Sequence, residues 1–384
     1  MRLKHTIVVP NDIKLISDIF RTNGFELYLV GGCVRDSLLG VQPKDFDLVT
    51  NILPDDVINL LKKESFVTNI LETGKSFGVI NVITDTGEYE IATMREDIGS
   101  SDGRRPDSVK FTNIETDVLR RDLTCNALFY DLETQEIVDL VGGIDDIKNK
   151  IVRAVGDPVE RFKEDKLRKL RCIRFAARFD SNLSIETHNA LKEDSNLIGI
   201  SGERIRDEFI KGVKSAVSVP DFIFLLIKYN LIGKLFDDLV ILTAKQNSIQ
   251  IGDTDYMVTI SQLLSYNGAD VISKKLNQLK YTVDEIKIIK FLISLKTLDI
   301  DTAVNLKKMQ NNSIVVEEQI RKFCAFIDKP KQLVDAFINF KLTVSGNDIM
   351  LSTGLKAGPE LGKKINEIED KNFSDFFNTY NKII

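Results

Sequence analysis

The pattern of apolar and polar positions changes character near residue 156. Before it, short apolar runs of strand type alternate with stretches of helical period. After Pro158 the strand signals fade, and a helical period with charged caps continues to the end of the sequence. In the first part, Asn11 reads as the N-cap of a helix ended by Gly24, and residues 26–30 read as a strand. Pro54 suits the first position of a helix containing Val57, Leu60 and Leu61. Residues 77–84 and 88–94 carry apolar and β-branched alternation on either side of Asp85-Thr86-Gly87, a hairpin signal that places Glu90 near the same sheet. In the second part the helical period is clearest over 158–179, 202–215, 283–296 and 315–327. Residues 96–109 fit neither pattern. Almost devoid of apolar side chains and rich in Gly, Ser and Asp, they read as a long mobile loop, and a loop of that length inside a domain is usually functional or disordered. The expected fold class is α+β, a head with a small mixed sheet followed by an all-helical region.

Composition narrows what such a chain can do. At 384 residues it exceeds one ordinary core, so several modules are expected. With 43% hydrophobic and 28% charged residues it reads as a soluble globular protein. Its longest apolar runs, such as Phe222-Ile-Phe-Leu-Leu-Ile227, are too short to span a bilayer, and the N-terminal patch stopped by Pro10 is no signal peptide. A cytoplasmic protein with no membrane partner is expected. Cys33, Cys125, Cys172 and Cys324 lie far apart without a C-x-x-C pair, which suggests buried small apolar residues and neither a zinc site nor disulfides. With only His5 and His188, histidine-based metal hydrolysis and a Ser-His-Asp triad are nearly excluded. The net charge of −5 argues against nucleic acid until its distribution is considered, because residues 161–174 carry seven cations against two acids.

The candidate chemistry begins at Leu29-Val-Gly-Gly-Cys-Val-Arg-Asp36, followed by Lys44-Asp-Phe-Asp47. A glycine pair where a strand gives way to a helix lets backbone N–H groups approach a phosphate, and the helix start favours the anion. On a strand, Asp45 and Asp47 project to one face while Phe46 and Leu48 turn to the core, and paired carboxylates bind hard divalent cations. A dinucleotide-binding turn is a poor competitor, since Gly31-Gly32 lacks the third glycine of G-x-G-x-x-G. Further along, Asp165 and Arg168 are three apart on an expected helix, with Arg171 and Arg174 at further three-residue steps and Leu167, Leu170 and Ile173 left for the core. The bland interpretation is an intrahelical salt bridge. The functional one is that a carboxylate beside a guanidinium offers acceptor next to donor, which matches the Watson–Crick edges of C and A and opposes those of U and G.

These residues resemble those of the class II template-independent nucleotidyltransferases of the DNA polymerase beta superfamily, which include tRNA CCA-adding enzymes and bacterial poly(A) polymerases. The resemblance rests on the two motifs above and on Gly74-Lys-Ser-Phe-Gly78, Asp102-Gly-Arg-Arg-Pro106, Arg120-Arg-Asp-Leu-Thr-Cys-Asn-Ala127, Asp139-Leu-Val-Gly-Gly143, Gly156-Asp-Pro158 and Arg161-Phe-Lys-Glu-Asp-Lys-Leu-Arg168. It implies a polymerase-beta-like head over 1–140, a neck with a nucleotide-selecting helix over 141–200, a body over 201–275 and a tRNA-binding tail over 276–384. It implies two Mg²⁺ ions on Asp45 and Asp47, triphosphate contacts from Gly32 and Arg35, phosphate and ribose contacts from Arg121 and Asp122, and a nucleotide pocket of Asp165, Arg168, Arg171 and Arg174. The implied reaction is addition of C, C and A to the tRNA 3′ end from CTP and ATP, with pyrophosphate released. The acceptor arm is the expected partner, and DNA is not. The tail motifs Val344-Ser-Gly-Asn-Asp-Ile-Met350 and Gly354-Leu-Lys-Ala-Gly-Pro-Glu-Leu-Gly362 are similar to CCA-adding tails, while a poly(A) polymerase, a CC-adding or A-adding enzyme, or an inert RNA-binding module remain as alternatives. Whether Glu90 adds a third carboxylate stays open.

Overall fold

Strand order decides which carboxylates meet. The computed structural model describes residues 1–99, 106–237, 239–242 and 251–383. They fall into two compact units, Met1–Ile200 and Ser201–Ile384. The first begins with β1 (Arg2–Lys4), α1 (Asn11–Thr22), β2 (Leu27–Val30), α2 (Gly32–Leu38), β3 (Asp47–Thr50), α3 (Pro54–Leu61), β4 (Val67–Leu71), β5 (Val79–Thr84) and β6 (Glu88–Thr93). There follow β7 (Arg95–Ile98), β8 (Ser108–Phe111), α4 (Ile114–Asp117), β9 (Leu128–Asp131), β10 (Glu136–Asp139), α5 (Gly143–Lys148) and β11 (Ile151–Val152). The unit ends with α6 (Pro158–Glu164), α7 (Leu167–Arg178), β12 (Asn182–Leu183) and α8 (Ile185–Glu193).

Eight strands form one mixed sheet in the order β1-β10-β9-β2-β3-β6-β5-β4. Neighbours pair antiparallel except β3 and β6, whose parallel register sets Asp47 beside Glu90 and Leu48 beside Ile91. The period-2 alternation divides the side chains between two cores. Leu29, Leu48 and Ile91 face a large cluster completed by Ile13, Ile16 and Phe20 of α1 and Val57 and Leu61 of α3. Each of those fully buried side chains contributes about 1.5–3 kcal/mol. Val30, Val49 and Phe129 face a smaller cluster with Val118 and Val155. Asp47 shares the parity of Val49, and Glu90 that of Ala92, so both carboxylates rise from the face with the smaller cover.

Three local expectations are corrected. Asn11 is the first helical residue rather than the cap, because Pro10 holds the extended cap conformation and no side chain caps the turn. Residues 95–98 and 108–111 of the expected loop pair antiparallel as β7 and β8, with Arg95 opposite Phe111 and Ile98 opposite Ser108. Backbone pairing needs no apolar alternation, so the composition concealed it; residues 100–105, which include most of the Asp102-to-Pro106 motif, lie outside the described residues. The helix expected over 158–179 is broken at Asp165, whose extended backbone (φ −147°, ψ 104°) ends α6. The Asp165 carboxylate accepts from Leu167 N at 3.0 Å and so starts α7 anew.

Among the described residues of the second unit, all regular elements are helices. Helices Gly202–Ser215, Val283–Ser294 and Glu317–Phe326 coincide with the periodic stretches of the sequence, and the longest, Pro359–Ile383, opens on its proline. Thr282 and Glu285 close a reciprocal capping box on the second of these. All four cysteines are buried with free thiols. Among the described residues no helix is long and apolar enough to cross a membrane.

Candidate functional site

Asp47 is the first residue of β3, and Asp45 precedes the strand, so the alternation expected of them starts before the hydrogen-bonded ladder does. Phe46 and Leu48 are buried between and beyond them, and both aspartates reach solvent. Enough protein nevertheless surrounds Asp47 for desolvation to raise its carboxyl pKa; the nearby Arg121 charge opposes this and the Asp45 charge adds to it. Glu90 is likewise raised, first by desolvation and then by Asp47, with Arg95 and Arg120 opposing. Asp45 acting on Asp47, and Asp47 on Glu90, bring carboxylate oxygens together in one place, the donor chemistry that suits a hard divalent ion. Among the described residues no group of three or more His, Cys, Asp or Glu side chains is placed to hold a metal ion; Asp47 and Glu90 stand side by side in the sheet, with Asp45 two residues before Asp47.

The glycine turn is built as the sequence suggests. Gly31 has φ +78°, a left-handed conformation that favours glycine, and its N–H donates to Leu128 O at 3.0 Å. Helix α2 starts at Gly32 but runs only to Leu38. Arg35 is buried within it. Its Nε donates to Asp36 Oδ1 at 2.8 Å, Nη2 lies 2.7 Å from the same oxygen, and Nη1 donates to Asn126 Oδ1. The guanidinium sits 5.2 Å from the ring centroids of both Phe175 on α7 and Phe179 just past its end, which themselves stack at 5.7 Å. Of its five N–H groups these bonds use three, and Nη2 lies beside Gly32 at the turn.

Arg121 is fixed by a residue absent from the sequence expectations. Asp117, fully buried, accepts from Arg121 Nη2 at 2.8 Å and Nε at 3.1 Å, from Arg120 Nε at 2.8 Å and from Arg95 N at 3.1 Å. Burial alone would raise its carboxyl; Arg121 and Arg120 hold it below the usual range. Arg121 also lies 4.9 Å over the Phe129 ring. Asp122 accepts from Arg171 Nε at 2.7 Å and from Asn126 Nδ2 at 3.2 Å. Against the effect of burial, Arg171 and these hydrogen bonds keep Asp122 depressed and charged.

Asp165 and Arg168 line one cavity of about 570 Å³ together with Arg120, Arg161 and Glu164. The break at Asp165 alters their expected relation. Arg168 ion-pairs with Glu164 at 2.6 Å, and its Nη2 donates to Arg120 O at 2.9 Å, so it is held rigidly at the cavity wall. Arg171 belongs with Asp122, and Arg174 is buried with its guanidinium 4.2 Å over the Phe175 ring. Lys169, counted among the seven cations, is wholly buried and bonds to Asp194 Oδ2 at 2.6 Å. The site residues missed by sequence reasoning are Asp117, Asn126, Glu164, Phe175 and Phe179. Asp117 could have been found by its i,i+3 and i,i+4 spacing to Arg120 and Arg121.

Residues 27–153 match the family model described as the poly A polymerase head domain. The chain is 32% identical over 395 residues to the CCA-adding enzyme of Ligilactobacillus salivarius strain UCC118, covering 94% of this chain and 92% of that one. It is 47% identical over 190 residues to the CCA-adding enzyme of Lactobacillus helveticus strain DPC 4571, where it spans about half of the relative's length, 46%. Among solved structures, the Bacillus stearothermophilus CCA-adding enzyme in complex with CTP matches with a TM-score of 0.70 at 22% identity, over 98% of this chain and all of that one. The Thermotoga maritima CCA-adding enzyme complexed with tRNA matches with a TM-score of 0.70 at 20% identity, over 97% and 95% of the two chains. At these identities the structural matches establish the shared fold.

Proposed function

The chain belongs to the CCA-adding enzyme family, a nucleotidyltransferase family that is generally metal-dependent, and from that premise we propose that it adds C, C and A to the 3′ end of tRNA. CTP and ATP are the donors. In each step the tRNA 3′-hydroxyl gives up its proton to solvent, its oxygen forms a bond to the α-phosphorus, the bond from that phosphorus to the β-bridging oxygen breaks, and pyrophosphate leaves. The observation that carries this reading is the carboxylate pair at the start of β3, one strand away from the glycine turn and Arg35.

Asp45 and Asp47 hold the metal, which we take to be two Mg²⁺ ions. Bound there, the ions supply Lewis acidity for the attacking and leaving oxygens. The chain's own residues position the donor nucleotide. Gly32 and the two remaining N–H groups of Arg35 meet the triphosphate, and Arg121, aimed by Asp117, balances phosphate charge. Asp122, held as a carboxylate, accepts from the ribose 2′-hydroxyl. Asp165 and Arg168 read the base at the cavity wall, and we assign Arg171 and Arg174, further along the helix that carries Arg168, to the same nucleotide. We assign 1–140 to a catalytic head, 141–200 to a neck, 201–275 to a body and 276–384 to a tail that binds the acceptor arm. A cytoplasmic location follows from tRNA as substrate.

The test is a tRNA transcript lacking its terminal CCA, given CTP, ATP or both, beside an oligoadenylate primer. Extension that stops after C-C-A, on tRNA alone, supports the reading. Long A tracts on either primer would make this a poly(A) polymerase, and extension confined to C-C or to the final A would make it a partial enzyme.

A further inference from the structure

We propose that the first unit carries a second ligand site, a cavity at the C-terminal end of α2 that takes a small neutral aromatic heterocycle bearing one N–H and couples its occupancy to triphosphate binding through Arg35. The coupling rests on the reading above of Arg35 as a triphosphate contact, whereas the site itself does not. Three helices end at this cavity. Leu39 follows the last residue of α2, Lys148 is the last of α5, and Phe179 follows the last of α7. The chain leaves α5 and α7 through Lys150 and Asp180, both left-handed at φ +53° and +48°, and their side chains pair at 3.1 Å. Beyond these turns β11 and β12 pair in parallel, with Ile151 opposite Asn182. The space so enclosed is about 200 Å³ and shares no lining residue with the cavity of Asp165 and Arg168.

The walls select the occupant. Leu39, Ile147, Ile151, Val152 and Phe179 make them mostly apolar, and an apolar cavity of about 150 Å³ stays dry and admits benzene, so this one has room for two fused rings. The charges at the wall are already matched. Arg35 is bonded to Asp36 and Asn126, Asp146 to Thr124 Oγ1 at 2.7 Å and Arg153 Nε at 3.1 Å, and Lys150 to Asp180. Lys148 is exposed at the rim, where water solvates it. An entering ion would shed its hydration without meeting a free counter-charge, so the fitting ligand is neutral. Asp146 is 5% exposed and engaged by those two donors, which leaves lone-pair capacity for one ligand N–H. Leu39, 42% exposed, gives the opening an apolar edge. A ring held here touches Phe179 and Arg35 together, and these two are already in contact at 5.2 Å. It fills the room into which they could withdraw and so favours the arrangement that keeps Arg35 Nη2 beside Gly32 at the other end of α2.

The experiment titrates indole into the full chain and follows it by ligand-observed NMR and calorimetry, first alone and then with saturating CTP. A Kd of about 1 mM or tighter is expected for a ligand of this size. Benzofuran, which has the same shape with an oxygen in place of the N–H, should bind at least about tenfold more weakly, the effect of losing a hydrogen bond to a charged group. Ile147→Trp, which puts a larger side chain into the cavity, should abolish indole binding. Leu39→Ala, at a partly exposed position where folding is at little risk, should weaken it about fivefold. CTP should tighten indole about fivefold, and by reciprocity indole should lower the Kd for CTP by the same factor. Arg35→Lys should weaken CTP and remove this coupling while indole still binds. Absence of indole binding, binding unchanged in both cavity variants, or competition between indole and CTP overturns the site. If indole binds there and CTP affinity does not move, the coupling is refuted. If Arg35→Lys also leaves CTP affinity unchanged, the triphosphate reading of Arg35 falls with it and the site alone stands.

Discussion

Replacing Asp117 with asparagine keeps the shape of the side chain and removes the one charge that two site arginines share. The carboxylate is fully buried and accepts four hydrogen bonds, three of them from the guanidinium groups of Arg120 and Arg121. Breaking a buried ion pair from one side costs about 3–5 kcal/mol. Arg120 and Arg121 retain 20% and 15% side-chain exposure, so water takes up part of the loss and the lower end, about 3 kcal/mol, applies. For a unit of this size that corresponds to a fall in melting temperature of about 6–12 °C. The pH dependence has a definite sign. The native carboxyl lies below its ordinary value, so its stabilisation is complete above the unfolded value of about 3.9 and is lost as pH falls through the depressed native one. Melting of wild type and Asp117→Asn should thus differ fully at neutral pH and converge in acid. Because Arg121 acts electrostatically on Asp47, kcat should drop as well. A neutral-pH loss below about 1 kcal/mol, the value of an exposed pair, would refute the reasoning.

Two further outcomes follow from the same geometry. Asp45→Ala or Asp47→Ala should abolish incorporation while circular dichroism and tRNA affinity stay near wild type, and full activity in either variant would remove the metal assignment. Asp165→Ala should lose discrimination against UTP and GTP in single-nucleotide incorporation on tRNA; four nucleotides slowed in proportion would instead mark Asp165 as the start of α7 and nothing more.

Local signals in the sequence served where the structure is local. The turn at Gly31, the β5–β6 hairpin, Pro54 at its helix start and the periodic helices of the second unit all depend on residues close in sequence, and all are found where expected. The break at Asp165 was hidden because the apolar spacing of Phe162, Leu167 and Leu170 stays compatible with one helix, while a single side-chain hydrogen bond to Leu167 N decides otherwise. Pairing of β7 with β8 was hidden because ladder bonds do not depend on polarity. The register of Asp47 with Glu90 joins strands separated by two others in the chain, and no local pattern encodes it. The Arg35–Asn126–Asp122 connection is likewise assembled from two segments, the glycine-turn motif and the Arg120-to-Ala127 motif, and neither shows its partner.

The strand order also governs when this sheet can exist during synthesis. β1 pairs only with β10, Arg2 opposite Val138, so the first strand leaves the ribosome long before its neighbour is made. At about 5–20 residues per second the wait is roughly 7–27 s. Through that interval a nascent chain exposes an unpaired edge, and Arg2 and Lys4 on so short a strand make it a poor template for association with another polypeptide. The central strands β2 and β3 are joined earlier, but β9 must arrive before β2 gains its second neighbour. Catalytic competence is therefore a late event in the life of the polypeptide, reached only when most of the first unit has emerged.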